Sequence, residues 1–171
     1  MFRKELLKIL LVLIAVSLLM ALNGFGVKRW IFLTMINKNR TSANEEELQF
    51  VQVKKEIKGS SRMQQYEHAL QALKENKIPE NAEYTTAFCR DYKINYITRD
   101  VNQVIVDFSS KNLKGSILQE RLLIGQIVHT LTQSFDEVES VVFTVDGEAA
   151  ETLMGNVNIQ SAFTPADIYF I

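Results

Sequence analysis

Residues 104–147 read VIVDFSSKNLKGSILQERLLIGQIVHTLTQSFDEVESVVFTVDG. Val104 to Ser109 alternates in the manner of a strand with one apolar face. Ser116 and Gln119 are spaced as a capping box and open a helical pattern over Ile117 to Phe135. Val138 to Val145 is rich in β-branched residues, which favour a pleated surface. Asp146-Gly147 ends the stretch with a turn signal. Strand, helix, strand is a unit that buries one helix face on a sheet.

Working outward from this unit, Leu48 to Ile57 reads as a further strand. Met63, Tyr66, Leu70 and Leu73 recur at helical spacing, and Pro79 stops that helix. Glu83 to Thr98 is β-branched and aromatic, and reads as one long bent strand or two short ones. Ala162 to Ile171 has no assignment. The order is β-α-β-β-α-β, an α+β layered domain with helices on one face of a mostly antiparallel sheet.

Val106-Asp107-Phe108-Ser109, Gly115, Val128-His129-Thr130-Leu131-Thr132 and the Val141 to Gly147 strand with its Val-Asp-Gly ending resemble the GerM domain. That is the sporulation and spore-germination domain of endospore-forming bacteria. Ile78-Pro79-Glu80-Asn81-Ala82 matches the Ile-Pro-x-Gly-Thr segment of that family, with Asn81 in place of the Gly. The resemblance covers residues 48 to 165. It implies an architecture like that of ring-building modules in secretion-type machines, and a scaffold rather than a reaction. It also implies protein partners or self-association at the cell envelope.

A chain of 171 residues holds one domain and an appendage. A net charge of −1 gives no field for nucleic acid. Arg3, Lys4 and Lys8 precede Ile9 to Leu22, which is apolar except for Ser17. Extended to Val27, about 19 residues at ~1.5 Å each match a hydrocarbon core. A cleaved signal peptide has the same opening, but Leu-Met-Ala-Leu-Asn-Gly-Phe-Gly is a poor cleavage site. The expectation is a signal anchor with an extracytoplasmic C-terminal domain. Lys28, Arg29, Lys38 and Arg40 compete with the first basic cluster, and the resemblance decides the orientation. Trp30-Ile31-Phe32-Leu33 reads either as an interfacial aromatic patch or as an extension of the membrane helix. The expected division is anchor and interfacial segment over 1–36, polar linker over 37–47, and folded domain over 48–171. A chain from residue 45 is then expected to fold alone.

No cofactor, metal or catalytic constellation is expected. His68 and His129, the two histidines, lie opposite the apolar stripes of their helices and lack ligand spacing. Asp107 alternates outward from Val106 and Phe108, and Asp146 reads as a turn residue. Cys89, the single cysteine, reads as an inert buried thiol and excludes an intrachain disulfide. A cell-wall or small-ligand module is the alternative function, and it requires an exposed cluster of Tyr84, Tyr92 and Tyr96. At about 100° per residue, Leu118, Leu122, Gly125 and His129 share a second face of the long helix. That face is either an apolar interaction groove or a surface covered by strands or by the C-terminal tail. If open, it is the contact with a neighbour, weakened as His129 protonates near about 6.5.

Overall fold

The computed structural model describes residues 12, 14, 27–38, 50–75, 78–79, 81–169 and 171. The strands are β1 (Val27–Asn37), β2 (Phe50–Gly59), β3 (Tyr84–Thr85), β4 (Ile94–Asp100), β5 (Gln103–Phe108) and β6 (Ser140–Val145). The helices are α1 (Arg62–Glu75) and α2 (Ile117–Ser134), with a short 3₁₀ turn at Asp167–Tyr169. The class is α+β, but the strands form two three-stranded sheets, β2-β1-β3 and β4-β5-β6, in place of the single expected sheet.

The opening unit behaves as its pattern dictates. The Ser116 hydroxyl caps α2 by accepting from the Gln119 amide at 3.2 Å. Strands β5 and β6 pair in parallel, which requires a crossover, and α2 supplies it. After β6, Asp146 and Gly147 take φ of 52° and 84°. Val145 and Glu148 exchange both backbone hydrogen bonds across them. Asp-Gly satisfies the two left-handed positions that such a turn demands.

The largest correction is at the N-terminal side. Residues 27–37 are not an extension of the membrane helix: they form β1, the central strand of the first sheet, antiparallel to β2 from Val27↔Gly59 to Ile36↔Phe50. Ile31, Leu33 and Met35 are fully buried, and Ile36 is 4% exposed. The folded unit therefore starts at Val27 rather than at residue 48. Asn37, placed in the linker by its polarity, pairs with Tyr84 of β3. The rest of that linker, 39–47, lies outside the described residues. So does the anchor segment apart from Val12 and Ile14, both helical and exposed. No helix among the described residues is long and apolar enough to cross a membrane.

The stretch from Glu83 to Thr98 breaks into β3 and β4, with Phe88 and Tyr92 buried in the irregular turn between them. The C-terminal tail closes the core. Phe163 exchanges backbone hydrogen bonds with Val141 at the edge of β6 (2.8 and 2.9 Å), and Ile168 is 1% exposed. Tyr66, Leu70 and Leu73 of α1 join Val104, Val106 and Phe108 of β5 and Leu123, Ile127 and Leu131 of α2 in one buried cluster.

Candidate interaction faces

Helix α2 is enclosed nearly all round: every residue from Leu122 to Leu131 is buried. Of the four residues assigned to a second, open face, only Leu118 is exposed. Leu122 is 9% and His129 6% exposed. A Cβ at Gly125 would meet Phe50 Cζ at 2.6 Å and Ile168 Cγ2 at 3.0 Å. Gly125 is there because β2 and the C-terminal turn press on the helix backbone. His129 stands between Phe50 and Tyr169, with ring centroids at 5.3 and 6.4 Å. Leu118, Leu122, Gly125 and His129 are thus no groove: Phe50 and Ile168 cover Gly125, Phe50 and Tyr169 flank His129, and Leu122 is buried as well. Burial pushes the His129 imidazole below its ordinary pKa, so the expected protonation near 6.5 does not hold.

A second stripe on α2, which the sequence reading did not single out, is polar. Gln126, Thr130 and Ser134 are spaced by four and are all buried. Strand β3 covers only the end of β1, at Ile36 and Asn37, so the rest of that edge needs other partners. The helix provides them. The Phe32 amide donates to the Ser134 hydroxyl (3.0 Å), which donates back to the Phe32 carbonyl (3.1 Å). The Thr34 amide donates to the Thr130 hydroxyl (2.9 Å), and Gln126 Nε2 donates to the Thr34 carbonyl (2.8 Å). Gln126 Oε1 also accepts from the Ala87 amide (2.6 Å), tying in the turn after β3. A helix face thus closes a sheet edge, one of the ways proteins keep such edges from recruiting other strands.

The ionisable groups are committed to structure. Asp107, expected on the outer side of β5, is fully buried. Its oxygens accept from the Thr144 hydroxyl (2.6 Å), the Gly147 amide (2.8 Å) and Asn95 Nδ2 (2.8 Å). It clamps the Asp-Gly turn onto the sheet. Glu120, also fully buried, accepts from the amides of Leu153, Met154 and Asn156 and from Asn156 Nδ2, all within 3.0 Å. That loop is held on α2 by one carboxylate. Burial raises the carboxyl of Glu137, but its own amide, the Tyr66 hydroxyl and the Arg62 and Arg29 cations outweigh that and hold it low. Asp146 is lowered by the hydroxyl and amide of Ser110.

His68 is exposed and contacts the Lys58 carbonyl through Nδ1. Cys89 is exposed, contrary to the buried thiol expected. The Tyr92 hydroxyl beside it is pushed up to about 12, chiefly by burial and then by Cys89. Among the described residues no group of His, Cys, Asp and Glu is arranged to hold a metal. The aromatic cluster needed by the cell-wall alternative does not assemble. Tyr84 lies in the first sheet and Tyr96 in the second, and Tyr92 is 4% exposed with its hydroxyl on the Lys114 carbonyl.

Half of one sheet face stays open. Opposed residues of β1 and β2 point to the same side, so Lys28/Lys58, Trp30/Glu56, Phe32/Lys54, Thr34/Gln52 and Ile36/Phe50 share the outer face of the first sheet. Along β1 its far half is closed, Thr34 fully buried and Ile36 nearly so, while Gln52 of β2 stays exposed. Its near half is open, with Trp30 58% and Phe32 46% exposed. Lys54 Nζ lies 5.0 Å from the Trp30 ring centroid, and Lys28 pairs with Glu56 at 2.9 Å. Ile31 and Leu33, on either side of Phe32 in sequence, point into the core.

The family model for Germane, sporulation and spore germination, matches residues 32–151, beginning inside β1. No curated protein matches the chain. The first GerMN domain of the sporulation protein GerM from Bacillus subtilis is similar in fold. It has TM-score 0.58 and 18% identity over 82% of this chain and 99% of that one. The tandem GerMN domains of the same protein give TM-score 0.54 and 20% identity over 81% of this chain and 44% of theirs. A candidate lipoprotein from Clostridium perfringens gives 0.56 and 17%, over 83% and 89%. With the matched region covering most of the folded unit, the chain belongs to the Germane family of sporulation and spore germination.

Proposed function

We propose that this protein is a membrane-anchored, extracytoplasmic domain that works by protein–protein contact, not catalysis, in a sporulation or germination assembly. The observation that carries the reading is the Germane match over residues 32–151, on a domain whose buried carboxylates are saturated by structural hydrogen bonds. The basic and apolar opening of the chain supports the anchor, and so does the fold shared with a candidate lipoprotein. The test is deletion of the gene in its spore-forming host. Fewer heat-resistant spores or slower germination is expected, with the tagged chain retained in the membrane fraction through carbonate washing. A deletion strain that sporulates and germinates like its parent overturns the reading.

A further inference from the structure

We propose that the open half of the outer face of β1 and β2 lies on an anionic bilayer surface, with Trp30 and Phe32 at the level of the lipid headgroups. The proposal rests on the anchor reading above and adds a second, orienting contact to it. Three observations carry it. The first is position. The apolar run ends at Leu22, and β1 begins at Val27. Five steps of extended chain reach at most about 17 Å, so this end of the sheet stays beside the membrane.

The second is the pattern of closure along the face. Thr34 and Ile36, at the end remote from the apolar run, are buried, whereas Trp30 and Phe32, at the end next to it, are open. A strand that merely tolerated stray aromatics would have no reason to expose them at that end alone. The third is chemistry. Trp is amphipathic and favours the headgroup level. Around it stand Lys28, Lys54 and Lys58 against the single carboxylate of Glu56. Lysines beside a membrane are drawn to anionic lipid, and the attraction weakens with salt. A second copy seated on the same face would set lysines against lysines, which disfavours it. A tether alone leaves a domain free to roll; a contact on the same side fixes which of its surfaces faces away from the membrane.

Trp30 is the only tryptophan in the chain, so intrinsic emission reports on this face alone. The full chain is reconstituted into phosphatidylcholine vesicles with and without phosphatidylglycerol, and flotation is checked first. With the anionic lipid, Trp30 emission is expected to shift to the blue. Acrylamide quenching should fall severalfold, and brominated lipids should quench. High salt should reverse all three. Lys54→Glu with Lys58→Glu should float as wild type and keep its circular dichroism, yet restore acrylamide access. A chain that floats while Trp30 is equally open in both vesicles overturns the docking and leaves the anchor standing. Shielding without brominated-lipid quenching also overturns it. The occupant is then a second copy if shielding grows with protein density, and the chain's own N-terminal segment if it does not. A chain that fails to float overturns the anchor and the docking together.

Discussion

Removing residues 1–44 tests where the domain begins. The cut leaves every element from β2 onward and takes away β1. Three fully buried side chains go with it, Ile31, Leu33 and Met35, together with Ile36 at 4% exposure. At ~1.5–3 kcal/mol for each buried aliphatic side chain, the loss is about 6–12 kcal/mol. A domain of this size has ~5–15 kcal/mol in all, so the shortened chain has no stable fold. The loss of β1 also strands Thr130 and Ser134, whose hydroxyls would face a vacant edge. The comparison is with a chain starting at Val27, which keeps β1 whole. Urea denaturation must be followed by circular dichroism, because the shortened chain lacks Trp30, the only tryptophan. The chain from Val27 should show one cooperative transition with a slope of ~1–3 kcal/mol/M, and the chain from residue 45 should show none. A cooperative transition of similar slope in the shorter chain would refute the placement of β1 in the core.

Leu122→Asp puts a carboxylate at a buried position, so it should cost several kcal/mol and lower the melting midpoint sharply; a midpoint near wild type would reopen the groove reading. Thr130→Val keeps the shape but leaves the buried Thr34 amide without its acceptor, at a cost of ~1–3 kcal/mol by urea denaturation. Thr132→Val, whose hydroxyl only returns to the Val128 carbonyl of its own helix, should stay within about 0.5 kcal/mol. His129 has its folded pKa depressed below the unfolded value of 6.5, so the unfolded chain binds the extra proton first. Its contribution is complete above pH 6.5 and is lost as pH falls toward the folded pKa, with a slope of at most ~1.4 kcal/mol per pH unit. Glu137, Asp146 and Asp167 are also lowered, but from ordinary values of 4.5 and 3.8, so their loss comes at lower pH. Between pH 6.5 and 5 the slope belongs to His129, and His129→Gln should flatten it in denaturation midpoints taken across that range.

The parts that announced themselves in the sequence are those with a local signal. Strand β5 alternates, helix α2 opens on its Ser116 cap, strand β6 is β-branched, and Asp-Gly names its own turn. Strand β1 does not. Ile31, Leu33 and Met35 enter the core, while Trp30, Phe32 and Ile36 occupy the other side, so Trp30 to Ile36 reads as an apolar run interrupted only by Thr34. Separated from Leu22 only by residues 23–29, it merges with the membrane signal, since periodicity vanishes when both faces are apolar. The second face of α2 stays undecided between groove and covered surface for the opposite reason. Helical spacing located Leu118, Leu122, Gly125 and His129 on one side correctly, but it cannot say what lies against them. Phe50 and Ile168, 75 positions before and 43 after Gly125, supply that cover. Buried Asp107 and Glu120 were illegible for a similar cause: their donors come from other elements, Asn95, Thr144 and Gly147 for the first and the loop from Leu153 to Asn156 for the second.

The stripe that closes β1 works as a vernier. Four helical residues advance about 6 Å, whereas two strand residues advance about 6.8 Å, so each rung falls short by ~0.8 Å. The short hydroxyls of Ser134 and Thr130 match Phe32 and Thr34. At the third position the reach of a hydroxyl no longer suffices, and the longer Gln126 leans back to the Thr34 carbonyl. One step further, at Ile36, the helix gives way to β3. The mismatch therefore sets how much of a strand a straight helix can serve as its neighbour. It also makes register self-checking: a slip of β1 by one residue would turn Trp30 and Phe32 inward and Ile31 and Leu33 out. The same slip would exchange which amides face the two hydroxyls, so a misregistered sheet would lose its core and its edge partner at once.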